Sequence, residues 1–143
     1  MGVLRCVLAV VAGVVVGIIV ISATHSLGHL VYPPPPNLDW NDREAVSAFM
    51  AAAPWTAYFM ILLAYAAGPF CGGLTAAAIA RRQRTLVALI VGYLFTLAGA
   101  MNLEIIPHAF WFAVVSTGEY LPFAFLGSRL IRPRASAVTE SSQ

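Results

Sequence analysis

The sequence predicts an all-α fold: a polytopic membrane four-helix bundle with both ends on the cytoplasmic side and a short interfacial helix in its outer loop. Three observations predict it. Hydrophobic residues make up 60% of the 143 positions and charged residues 10%, against roughly 45–50% and 25% in soluble domains. Four apolar runs are long enough to cross hydrocarbon, and seven of the eight cationic residues, all arginines, fall on one side of a four-span count. A domain this small leaves much of its surface exposed, so a soluble fold cannot hide so many apolar side chains. Lipid is the solvent that fits.

The first span is read over residues 6–28. A helix needs about 20 residues to cross the hydrocarbon core, and this run supplies them. Ser22-Ala23 resembles a signal cleavage site, but signal h-regions run only about 7–15 residues and three more apolar runs follow. The second span, 54–80, opens at Pro54, whose missing N–H suits a first helical turn, and stops at Arg81-Arg82-Gln83-Arg84. The third covers 86–103. The fourth, 108–131, follows Pro107 and is closed by Arg132-Pro133-Arg134. Residues 1–134 thus form one transmembrane domain, and the small polar tail 135–143 is expected to be disordered.

Orientation follows from the arginines. Arg5, the group at 81–84 and the group at 129–134 share one side, and Arg43 stands alone opposite them beside Asp39, Asp42 and Glu44. The arginine-rich side belongs inside the cell. Trp40, Trp55 and Trp111, with Tyr32, then mark the outer interface, where amphipathic rings sit best. The outer loop, 31–53, begins with four prolines, Pro33 to Pro36. These favour a stiff polyproline II spacer over a recognition motif. Asn41 through Glu44 reads as a capping-box start for a short surface helix over 45–53.

Small residues recur every fourth position in the second span, at Ala64, Gly68, Gly72, Ala76 and Ala80. In lipid, close backbone approach drives helix association. The row therefore predicts packing against Gly13 and Gly17 of the first span or Gly92 of the third. Homodimerisation through Gly68-x-x-x-Gly72 is the sharper alternative. Cys6 and Cys71 lack the C-x-x-C spacing of redox or zinc motifs and read as small buried hydrophobes.

Chemistry is expected at the outer end. His25 and His29 lie one helical turn apart, and His108 opens the last span. First and last helices of an up-down bundle are usually neighbours, and Glu104 ends the third span at a similar depth. These four residues form a candidate site for a transition metal, zinc, copper or iron, and a pair such as His29 and His108 could hold a haem. The alternatives are polar rings tolerated at an interface, or proton sensing. Glu119, in the middle of the fourth span, is an intramembrane acid. Its insertion costs at least about 2.5–3.5 kcal/mol, so it is expected to face the interior, bonded to Ser116, Thr117, Thr96 or a tyrosine. No P-loop, G-x-S-x-G or H-E-x-x-H occurs, which leaves an enzyme reading without a motif. The near-balanced net charge gives no reason to expect nucleic acid as a partner.

Gly28-His29-Leu30-Val31-Tyr32-Pro33-Pro34-Pro35 and Pro107-His108-Ala109-Phe110-Trp111 resemble a group of small bacterial four-span membrane proteins. In these a G-H-x-x-Y-P-P-P stretch follows the first helix and a P-H-x-x-W stretch opens the last. The resemblance covers nearly the whole chain and implies a bacterial inner membrane without implying an activity. Where that group carries an acid one turn before its first histidine, this chain carries His25. The expected function is a non-enzymatic accessory or binding protein that uses its outer face, with lipid around it and a membrane-protein partner or second copy beside it. A metal- or haem-binding protein of electron or proton transfer, and an oligomeric proton-linked transporter, are the alternatives.

Overall fold

The computed structural model describes residues 2–80, 82–106 and 108–131. Among them the fold is all-α, in the order α1 (Gly2–Val31), α2 (Arg43–Ala52), α3 (Trp55–Ala80), α4 (Arg84–Ile105) and α5 (Phe110–Arg129). Three helices, α1, α3 and α4, are long and apolar enough to cross a membrane. The 20-residue α5 is not among them, because Glu119 and its Ser, Thr and Gly neighbours dilute its apolar character. At 1.5 Å per residue, the 30 residues of α1 span about 45 Å. That exceeds the roughly 30 Å of hydrocarbon, so its last turns, with His25 and His29, reach past a span's length.

Local chemistry sets the elements, with one correction to the expected cap. Asp42, not Asn41, is the N-cap of α2. Its Oδ1 accepts from the backbone N–H of Glu44 at 2.9 Å and of Ala45 at 3.1 Å, and so satisfies donors that the first turn leaves orphaned. Asn41 instead donates its backbone N–H and its Nδ2 to Asp39. The proline run is extended only at its start: a turn at residues 36–37 closes where Leu38 N–H donates to the Pro35 carbonyl at 3.1 Å. Pro107, Arg81, Arg132, Arg134 and the tail 135–143 lie outside the described residues.

The packing differs from a simple up-down ring. Helix α3 lies against α1, α4 and α5, and α4 lies against α1 and α5, but α1 and α5 do not touch. The expected first–last neighbourhood is absent because α3 presents two glycine faces and is wedged between them. On one face a Cβ at Gly72 would stand 2.6 Å from the Gly13 carbonyl oxygen, and a Cβ at Gly17 2.9 Å from that of Gly68. On the other, a Cβ at Gly73 would run into the Ala124 backbone, and one at Gly127 into the Phe70 carbonyl. The row of Ala64, Gly68, Gly72 and Ala76 is buried, with Gly68 and Gly72 filled by α1. It is an intramolecular seam, so a second copy could use Gly68-x-x-x-Gly72 only by displacing α1.

At the bundle end away from α2, arginines cap carbonyls. Arg5 Nε donates to the Ile79 carbonyl at 2.6 Å, one residue before the end of α3, and an Arg84 N–H reaches the Ile131 carbonyl at 3.1 Å. A cation at a helix C-terminus meets the negative end of its dipole. Cys6 and Cys71 are free and half-buried, and Cys6 Sγ lies 3.3 Å from the Gln83 side-chain oxygen.

Candidate ligand cavity under the α2 lid

Helix α2 buries Val46 and Met50 against Tyr58 and Phe112, so its apolar face is covered by the bundle. The Tyr58 hydroxyl donates to the Met50 carbonyl at 2.7 Å. At the other margin, the Tyr32 and Thr56 hydroxyls lie 2.6 Å apart and tie the end of α1 to the start of α3. Between these attachments a cavity of about 460 Å³ opens, walled by the last turns of α1, the proline loop, α2, the first turns of α3 and the α4–α5 connection. Most of its wall is apolar or aromatic, with Phe49, Met50, Ile61 and Ile106 among the contributors. A few polar groups converge on it, as in small-molecule sites generally.

All three histidines reach this cavity, and each is held differently. The His25 ring packs on that of Tyr65 at 5.5 Å between centroids, and its Nε2 is buried without a hydrogen-bond partner. His29 is exposed at the cavity margin. His108 stacks on Phe112 at 4.8 Å with the ring planes 11° apart, and its Nδ1 lies 2.7 Å from the Ile106 carbonyl. Burial holds the His108 imidazole below its ordinary pKa, and the bond to the Ile106 carbonyl opposes part of that shift. The charged form is the one that loses water on burial.

The expected metal centre of His25, His29, His108 and Glu104 is not assembled. Among the described residues, no group of three or more His, Cys, Asp or Glu side chains is placed to hold a metal ion. Two features account for this. Glu104 is exposed and lies outside the cavity wall, and α3 separates α1 from α5, so the histidine that precedes α5 is pinned to Phe112 rather than turned to its counterparts.

Beneath the cavity, polar groups from three helices line up. Asn102 Nδ2 donates to the Tyr65 hydroxyl at 3.2 Å, and the Tyr65 and Tyr120 rings are 5.7 Å apart. Glu119 directly precedes Tyr120 in α5, and its Oε1 is buried without a partner. The expected bonds to Thr96 and Ser116 are not made, since each hydroxyl donates to a carbonyl of its own helix, Gly92 at 2.9 Å and Ala113 at 3.3 Å. Tyr58, Tyr65 and Asn102 were not singled out from the sequence. A signal for them existed: Tyr58 and Tyr65 are two helical turns apart on one face, and Asn102 is an amide at the end of an apolar run.

No family model, curated protein or solved structure matches the chain.

Proposed function

We propose that this chain is a non-enzymatic binding protein of the bacterial cytoplasmic membrane that takes up a small, largely apolar ligand in the cavity under α2. The observation that carries this reading is the cavity itself. A half-open, largely apolar space whose wall also carries His29, Tyr32 and Asn102 suits a ligand that has an apolar body and one hydrogen-bonding end.

The membrane reading takes α1, α3, α4 and α5 as four spans with both ends inside. Support comes from Arg5, Arg82, Arg84 and Arg129 at one end of the bundle and from exposed Trp40, Trp55 and Trp111 at the other. At 20 residues, α5 is about 30 Å long, sufficient for the hydrocarbon core. On this orientation the cavity faces outward, where the short bacterial resemblance also concentrates its motifs. A fixed membrane-protein partner is a further proposal for the same outer face.

Gly28 offers the test. It lines the cavity, and an added Cβ there meets nothing within 4 Å, so Gly28→Trp should fill the space without pushing on the bundle. Protein extracted in mild detergent and examined by native mass spectrometry should carry a small-molecule adduct that Gly28→Trp lacks. A wild type with no adduct, or an adduct unchanged by the substitution, removes the reading.

A further inference from the structure

The bundle end away from α2 holds a second cleft, of about 500 Å³, between the start of α4 and the end of α5. Among the described residues, its polar wall is made of Arg82, Gln83, Arg84 and Thr85 on one side and Ser128 and Arg129 on the other. Three arginines thus line one space, and no acid lines it with them. The acid before Arg129 in α5 is Glu119, ten residues earlier and about 15 Å away along the axis. The positive charge of the cleft is uncompensated.

Two of the arginines are held in place by the bundle. An Arg84 N–H donates to the Ile131 carbonyl at 3.1 Å, which uses one of the several donors of its planar fork. The Arg129 guanidinium carbon stands 5.6 Å from the centre of the Phe125 ring, within cation–π range. The uncharged neighbours offer these cations little. Gln83 forms no side-chain cap on α4, and its Oε1 lies beside Cys6 Sγ at 3.3 Å. Ser128 Oγ donates to the Phe125 carbonyl at 2.7 Å.

We infer that this cleft binds a phosphate group, carried by the headgroup of an anionic phospholipid. A guanidinium fork matches phosphate oxygens two at a time. A phosphate presents oxygens on several sides of one centre and can engage several forks, whereas a carboxylate presents its pair in one plane. Apolar surface beside the cations points to a lipid as the carrier. Leu86, in the wall, is 53% exposed, and Leu130, next to Arg129, is 61% exposed. Chains attached to the phosphate have a surface to lie on. On the four-span reading the cleft stands at the inner headgroup level, where basic pockets between spans hold anionic lipids. Arg84 is about 27 Å along α4 from Asn102 of the α2 cavity, so this inference and the ligand reading can fail separately.

Native mass spectrometry of the full chain in detergent provides the test, with phosphatidylglycerol, phosphatidylcholine of the same chains and inorganic phosphate as probes. Phosphatidylglycerol should be retained and phosphatidylcholine should not. Arg82 and Arg129 are exposed, so Arg82→Gln and Arg129→Gln leave the core intact. Each should weaken phosphatidylglycerol binding about tenfold, the scale of one charge-assisted hydrogen bond. Arg5→Gln removes the same charge at the same end of the bundle but outside the cleft, and should change nothing. Binding of inorganic phosphate that depends on Arg82 and Arg129, without phosphatidylglycerol, keeps the phosphate site and overturns the lipid as its source. Failure to bind either probe, with helix content retained by circular dichroism, overturns the site. An equal loss in Arg5→Gln does the same, because it would show attraction to the whole basic end and not to the cleft.

Discussion

The hydroxyl of Tyr58 joins α3 to the backbone of α2, and its removal isolates one bond. Tyr58→Phe should cost about 0.5–1.5 kcal/mol. The low end is expected because the Met50 carbonyl keeps its bond from the Ala53 N–H at 3.1 Å. Hydrogen exchange should read the change as faster exchange confined to 43–52. His108 gives a pH dependence whose sign is fixed by burial. Burial holds its folded-state pKa below the ordinary imidazole value of about 6.5, so the unfolded chain binds the extra proton. The stability is therefore complete above about 6.5 and is lost as pH falls through that value toward the folded pKa. Thermal melts should show a midpoint that falls on acidification through this window, and a shallower fall in His108→Phe, which keeps a ring against Phe112.

Single glycines separate the seam from the cavity at the scale of the helix. Gly13→Ala and Gly72→Ala place a Cβ 2.6 Å from the facing carbonyl oxygen and should each destabilise the α1–α3 pair by about 1–3 kcal/mol. Gly28→Ala sits on the same helix as Gly13 but meets open space, and should be neutral or stabilising by up to about 1 kcal/mol through helix propensity. Chemical unfolding in detergent of the three variants checks the contrast. For α2, Asp42→Ala should cost about 0.5–2 kcal/mol, while Asn41→Ala leaves the helix start intact. Protease susceptibility of the 33–42 segment distinguishes them.

Across the whole molecule, the prediction is one of sidedness. A cysteine placed at Arg82 and one at Asp39, in a background with Cys6 and Cys71 replaced, should react with a membrane-impermeant maleimide from opposite faces of sealed vesicles. Labelling of both from one face removes the four-span topology, and with it the outward-facing cavity. Much of the architecture was legible beforehand. Apolar runs bounded by prolines and arginines gave the helices to within a few residues, since both helix length and its ends depend on local composition. The end that gathers His25, His29 and His108 was legible too, because alternation of helices brings those positions to one side. Their partners were not: nothing in the spacing of His108 announces Phe112 stacked on it and the Ile106 carbonyl bonded to it.

What the sequence determined by itself is an all-α chain of long apolar helices with a short helix between the first two; of the four spans it predicts, three are long and apolar enough in the structure to cross a membrane. Those properties follow from residues close together along the chain. Only tertiary structure decided that α3 stands between α1 and α5, that the Gly68–Gly72 row is filled by α1, and that Tyr65 of α3 meets both His25 of α1 and Asn102 of α4. Each depends on which helix faces meet, and a face that bears small residues is compatible with several neighbours until backbone contact selects one.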